Sequence, residues 1–462
     1  MILPIYLLLL ACSSDSFKVL VYNSKFGHSH SNYMGRLADI IAGAGHDVTS
    51  LISVIHPAHA DGTHNSTKLI VEQSPETKIV VDKFNGAQVD LFSSNNYDPI
   101  GGYMFGNLFG AIFATQCKAV LEEPGLIERL KSGKYDVLLA EHFDMCGLGL
   151  VEVIKPKSFI SVSTSVVFGS QFEEYGIPNM PSFDPVFREK FGPHFPSFVD
   201  ISSRSAYVFT NSEPLIDFAA PTITKVIKLG GLGTKEPNKL SKEWESILAK
   251  REKAILLSFG SVVLSSKLPI PVKHSIIEVG NLVLSKWTPQ SDLLAHPKMA
   301  IFITHGGAGS TQETAGRGVP GIFVPLFGDQ PRNAGMMQYN GLGKVLSKYD
   351  ITTPAKVIAV IKGVLENERH DYRKNARKIS AMLKKKPFGY NELIVKYVEF
   401  AAEFGPSPAL RPQSFDMNWI EYNNVDIIVL GLITLSTIVC ITTMTALRLI
   451  KLFLAKEKKK IE

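Results

Sequence analysis

Six residues, Met299–Thr304 (MAIFIT), run straight into His305-Gly306-Gly307 and then into the small-residue stretch AGSTQETAGRG. An apolar run of this length that ends on glycine reads as a buried strand, and a strand that opens into a helix belongs to a parallel α/β sheet. The same join carries chemistry. Glycine lets backbone N–H groups approach an anion, and the first turn of a helix leaves those groups unpaired, so the unit presents a phosphate-binding helix N-terminus.

The residues around this unit extend the reading. Upstream, the aromatic Trp287 and the amide Gln290 are suited to a flat base; downstream, Glu313, Asp329 and Gln330 are suited to sugar hydroxyls. Each alone has a plainer explanation: a lone tryptophan is more often core, a helix glutamate is more often solvated, and Ser310 or Gly309 is more often an ordinary cap. Taken in order from Trp287 to Gln330, they spell a nucleotide sugar.

Two α/β series follow one another. Phe17–Tyr22 is an apolar run, Tyr33–Ala44 has helical periodicity that stops at Gly45, and Asp47–Ile52 reads as the next strand. The second series has strands at Ala254–Phe259, Met299–Thr304 and Gly321–Val324. Between the two, Val208–Glu213 and Lys225–Leu232 close the first series, and Thr234–Leu240 is a polar linker. Helical patterns at Thr353–Glu366, His370–Lys384 and Tyr390–Glu403 end the second, and Gly405–Gln413, with three prolines, reads as an extended connector. A chain of 462 residues has room for both domains, placed at 15–233 and 241–404 with a connector at 405–426. A nicotinamide-dependent oxidoreductase is disfavoured, because Tyr22–His28 contains a single glycine and no G-x-G-x-x-G follows either opening strand.

The two ends speak of a membrane. Ile2–Ala11 is an apolar segment followed by small residues, as in a secretory signal at 1–14. Ile427–Leu447 is 21 residues without a charge, long enough to span a bilayer as a helix. The tail beyond it, 448–462, holds six cations and two anions, a net +4 of the chain's +6. Positive flanks stay cytosolic, which puts the body in a lumen, and the body is left nearly neutral, which argues against a nucleic-acid partner. Asn65-Ser66-Thr67 is a glycosylation sequon. Cys12 and Cys440 fall in the signal and the span, and Cys117 and Cys146 read as two buried thiols. No Cys/His spacing of the zinc type occurs, so no metal is expected.

The block WTPQ…HGGAGS…GDQ closely resembles the donor signature of the UDP-glycosyltransferases, membrane-anchored animal type. The resemblance implies a GT-B fold: two facing Rossmann-like domains with the open ends of both sheets on one crevice, plus one C-terminal transmembrane helix. It implies that Trp287 stacks on uracil with Gln290 beside it, and that His305, with Gly307, Gly309 and Ser310, meets the pyrophosphate. Glu313 then holds the ribose, and Asp329 and Gln330, helped by Asn333, hold the transferred sugar. Of His28 and His30, only His30 stands in the family's Ser-His position relative to Gly45-His46, which makes it the base. Glu141 occupies the place of the family's aspartate that orients this histidine, one methylene longer, with Asp144 a nearby substitute.

The resemblance further implies an inverting transferase moving a hexosyl or glucuronosyl group from UDP-glucose or UDP-glucuronate to a small lipophilic acceptor, the UDP-sugar being a co-substrate and no cofactor being needed. Lys459-Lys460 resembles a dilysine retrieval signal, implying a single-pass protein of the endoplasmic reticulum membrane, alone or as a homo- or hetero-oligomer. The pattern departs from the family twice. Only 25 residues separate Gly260-Ser261 from Trp287, about one helix short, and Gly176–Phe187 is also shortened. These gaps motivate the alternative of a catalytically impaired homologue that binds UDP-sugar or pairs with active relatives.

Overall fold

The computed structural model describes residues 16–87, 92, 99–165, 183–219, 222–232, 234, 236–260, 268, 270, 272–273, 281–366 and 371–461. The expected signal at 1–14 and the bulk of both shortened stretches, at 176–182 and 261–280, lie outside the described residues.

The first half is built on seven strands: β1 (Lys18–Lys25), β2 (Asp47–Val54), β3 (Thr67–Val71), β4 (Val137–Glu141), β5 (Ser158–Ser163), β6 (Tyr207–Thr210) and β7 (Val226–Lys228). All pair in parallel, in the order β3-β2-β1-β4-β5-β6-β7. The helices of this half are α1 (His28–Gly43), α2 (Pro75–Ala87), α3 (Pro99–Glu122), α4 (Leu126–Ser132), α5 (Met145–Ile154), α6 (Phe183–Phe191) and α7 (Phe198–Ser203). Side chains alternate along each strand, so Leu20, Tyr22, Leu138 and Ala140 enter one core with α3 and α5, while Val19, Val21, Val137 and Leu139 enter another with α1. The strand order reverses between β1 and β4. That reversal opens a crevice beyond the carboxyl ends of these two strands, where ligands of such sheets bind.

Two expectations need correction here. The first helix starts at His28 rather than Tyr33, with Gly27 at its N-cap. Its opening residues, His28-Ser29-His30-Ser31, lack the apolar period that betrays a helix because this turn borders the crevice. Cys117 and Cys146 are joined as a disulfide between α3 and α5, with Cα atoms 5.5 Å apart, and are not thiols. Both sulfurs are buried in the same core, so burial was read correctly and the pairing was not. Two cysteines 29 residues apart carry no sequence signal of proximity.

The second half contains α8 (Lys242–Ala249), β8 (Ala254–Ser258), α9 (Gln290–Ala295), β9 (Met299–Thr304), α10 (Ala308–Arg317), β10 (Gly321–Phe323), α11 (Gln330–Tyr339), β11 (Gly343–Val345), α12 (Pro354–Leu365), α13 (Tyr372–Lys384) and α14 (Tyr390–Phe404). Its four described strands are parallel in the order β11-β10-β9-β8. Among the described residues β8 pairs only with β9, and Ile255 on it is 43% exposed. The last helix, α14, leaves its own half and crosses back to the first. There Ile394, Val398, Ala401 and Ala402 pack with Val19, Val21, Leu37 and Ile41.

The connector is not fully extended: Pro408–Leu410 and Gln413–Asp416 form 3-10 turns. Residues 411–462 form a separate unit. It holds α15 (Trp419–Tyr422), started by an Asn418–Glu421 capping box, and α16 (Val425–Ile461). The stretch Val425–Lys456 of α16 is long and apolar enough to cross a membrane, and it contains the expected span at 427–447.

Candidate active site

His305 caps β9. Its ring lies between two glycines: a Cβ on Gly260 would stand 2.8 Å from its Cε1, and one on Gly307 would stand 2.6 Å from its Nε2. Gly306 turns the chain with φ +84°, a left-handed conformation that side chains other than glycine adopt only under strain. No side chain caps α10, so the N–H groups of its first turn remain for a ligand. Burial pushes the His305 imidazole down to about 4, so it stands neutral at physiological pH with one N–H to give.

Behind this turn, Gln290 at the start of α9 reaches across to α10, its Nε2 donating to Glu313 Oε2 at 2.6 Å and to Ser310 Oγ at 3.4 Å. Burial raises the Glu313 carboxyl, opposed by its hydrogen bonds from Gln290 and Ser291. Trp287 is 66% exposed and stands edge-on to His28 of α1, ring centres 5.7 Å apart, so it forms a wall between the halves with a face left open.

Asp329, in the turn after β10, is the N-cap position of α11, and Gln330 is the first residue of that helix. Asn333 Nδ2 donates to Gly306 O at 3.1 Å and Asp329 Oδ2 at 2.8 Å, tying the glycine turn to the carboxylate. Asn333 is fully buried and braces the two loops. Gln330 Oε1 accepts from Leu326 N at 2.8 Å and Phe327 N at 3.2 Å, leaving only its amide hydrogens for a ligand. Burial raises the Asp329 carboxyl, opposed by its hydrogen bond from Asn333.

His30 sits in the first turn of α1, and Glu141 ends β4, on either side of the strand-order reversal. His30 Nδ1 bonds Glu141 Oε1, and Thr164, just past β5, places its Oγ1 2.6 Å from both atoms. Phe26 packs on the imidazole, ring centres 4.2 Å apart, and Phe143 approaches at 5.4 Å. With Nδ1 turned inward, Nε2 is the ring nitrogen left for a substrate. Asp144 does not share in this: it caps α5 through Cys146 N at 3.0 Å and accepts from Tyr22 OH at 2.8 Å. Burial pushes its carboxyl up to about 6.

The sequence model of the UDP-glucuronosyl and UDP-glucosyl transferases matches residues 17–200 and 274–460. The chain belongs to this family. It is 27% identical to human UDP-glucuronosyltransferase 3A2 over 92% of each chain, and 28% identical to rat UDP-glucuronosyltransferase 1A8 over 73% of this chain and 74% of that one. Among solved structures, TcCGT1 in complex with UDP superposes with a TM-score of 0.56 at 16% identity, covering 84% of this chain and all of that one, which supports the GT-B fold.

This UDP-glycosyltransferase therefore transfers a sugar from a UDP-sugar. Asn65 lies elsewhere, exposed before β3, its N–H bonded to Asp39 Oδ1 at 2.9 Å. Thr164 escaped the sequence reading. It sits in the hydroxyl-rich end SVSTS, 134 residues from His30, where nothing marks one hydroxyl from the next.

Proposed function

We propose that this UDP-glycosyltransferase moves a hexosyl or glucuronosyl group to a hydroxyl of a small lipophilic acceptor, with inversion at the sugar carbon. The observation that carries the reading is the His30–Glu141 pair at the strand-order reversal, with Nε2 of His30 free for the acceptor. Nε2 removes the acceptor proton as the acceptor oxygen bonds the anomeric carbon, and the carbon–oxygen bond to UDP breaks, its electron pair leaving with the nucleotide. Glu141 steadies the imidazolium so formed. The apolar neighbours Phe26, Phe109, Phe113 and Phe143 surround this corner of the crevice, which suits a lipophilic acceptor.

On the donor side, Trp287 covers the base and Gln290 and Glu313 hold the ribose. The first turn of α10 and the neutral His305 donate to the pyrophosphate and stabilise its growing charge. Asp329 and the amide hydrogens of Gln330 take the sugar hydroxyls. Two features support an endoplasmic reticulum membrane protein with a luminal body: the Cys117–Cys146 bond fits an oxidising lumen, and the cationic end of α16 fits the cytosolic side. In the test, the His30→Ala protein is assayed for transfer from UDP-glucose and UDP-glucuronate to simple phenols, with UDP binding followed by calorimetry. Transfer is expected to fall at least 100-fold with UDP affinity kept. Full activity in the folded variant would show that His30 is not the base.

A further inference from the structure

Among the described residues, Thr164 supplies a hydroxyl that touches both members of the pair. Its Oγ1 lies 2.6 Å from His30 Nδ1 and 2.6 Å from Glu141 Oε1. Only one assignment of hydrogens satisfies the three atoms at once: the hydroxyl donates to the carboxylate, and the Nδ1–H is shared between the carboxylate and the hydroxyl oxygen. The hydroxyl therefore disfavours the tautomer with its proton on Nε2, the nitrogen that must receive the acceptor's proton.

A glutamate needs this help. Compared with an aspartate it has one more rotatable bond, and its second oxygen, Oε2, is buried without a partner, so only Oε1 is anchored. Thr164 is itself held from behind: Asn211 Nδ2 donates to Thr164 O at 2.8 Å, and Asn211 N donates to Ser163 O at 2.9 Å. Asn211 O in turn accepts from Gln312 Nε2 on α10, the helix whose first turn faces the donor. A chain of hydrogen bonds thus runs from α10 through Asn211 to the Thr164 backbone, fixing the main chain that carries the hydroxyl. Threonine's β-branch further limits the rotamers its hydroxyl can reach.

We infer that Thr164 is the positioning residue of this transferase: it fixes the Glu141 carboxylate and the His30 tautomer without touching the substrates. The inference rests on His30 being the base, and the variants separate the two ideas. Thr164→Val keeps the shape and removes the hydroxyl, Thr164→Ser keeps the hydroxyl, and His30→Ala removes the ring. Loss of a hydrogen bond to a charged group predicts a fall in kcat of roughly 10- to 100-fold for Thr164→Val. KM for the UDP-sugar and calorimetric UDP affinity are expected to stay within about twofold, since the donor contacts are untouched. The acidic limb of the kcat–pH profile is expected to move, which a purely structural role would not cause. Thr164→Ser should recover kcat to within about threefold of the parent. Wild-type kcat and pH profile in Thr164→Val, with His30→Ala inactive, would overturn the inference and leave the base assignment standing. Activity surviving in His30→Ala would overturn both.

Discussion

Removing the Cys117–Cys146 bond gives the sharpest test of the first half's construction. The bond closes a loop with a sequence separation of 29 and joins α3 to α5 inside the larger core. In the chain-entropy treatment, a loop of about 30 residues restricts the unfolded ensemble by about 12 cal/mol/K, or about 3.6 kcal/mol at 25 °C. Against a typical total of about 5–15 kcal/mol this is between a quarter and three quarters of the stability. The perturbation is the double substitution Cys117→Ala, Cys146→Ala, which removes the bond without leaving a thiol. The assay is urea denaturation of the full chain in detergent, read by tryptophan fluorescence, beside the parent protein with and without reductant. A lower midpoint is expected for the double variant, and reduction should bring the parent toward it. UDP binding below the transition should persist, because the donor contacts lie in the other half. Identical midpoints for the variant and the unreduced parent would refute the reasoning, as would two titratable thiols at these positions before reduction.

Two further outcomes concern the donor turn. Gly307→Ala puts a Cβ 2.6 Å from His305 Nε2 and must displace the ring, so UDP affinity measured by calorimetry should drop about tenfold or more, whereas Gly309→Ala meets nothing of the chain within 4 Å and should leave the thermal midpoint unchanged. His305 binds its proton only near pH 4 when folded but near 6.5 when unfolded, so the unfolded state gains protons as pH falls through that window and stability declines there; His305→Gln should show a shallower loss between pH 7 and 5 in urea midpoints, and parallel profiles would contradict it.

The parts of this molecule legible in the sequence are those where one residue type has one job. Met299–Thr304 was read as a strand to the residue, because an apolar run bounded by glycine admits little else. The helices at Pro354–Leu365, Tyr372–Lys384 and Tyr390–Phe404 followed from periodicity. The first turn of α1 was hidden because its residues face the crevice, and the start of α11 because Asp329 and Gln330 were read for their chemistry rather than for their backbone. The disulfide, the Thr164 hydroxyl and the bracing role of Asn333 are long-range facts. They depend on which elements lie side by side, and that is decided by the order of strands in the first sheet and by the glycine turn of the second half.

The return of α14 to the first sheet has a consequence for how the protein is made. Leu37 and Ile41 of α1 and Val19 and Val21 of β1 share one core with residues 390–404, although the last strand of the first sheet is complete by residue 228. At a synthesis rate of about 5–20 residues per second, the first half waits roughly 8 to 35 s with an apolar face uncovered after its own last strand has emerged. During that interval it is a client for chaperones rather than a finished domain. The two halves are thus not independent modules: a chain cut between them would leave the first without its lid and the second with an unpartnered amphipathic helix, so truncated or spliced forms ending before residue 390 are expected to aggregate rather than accumulate as soluble halves.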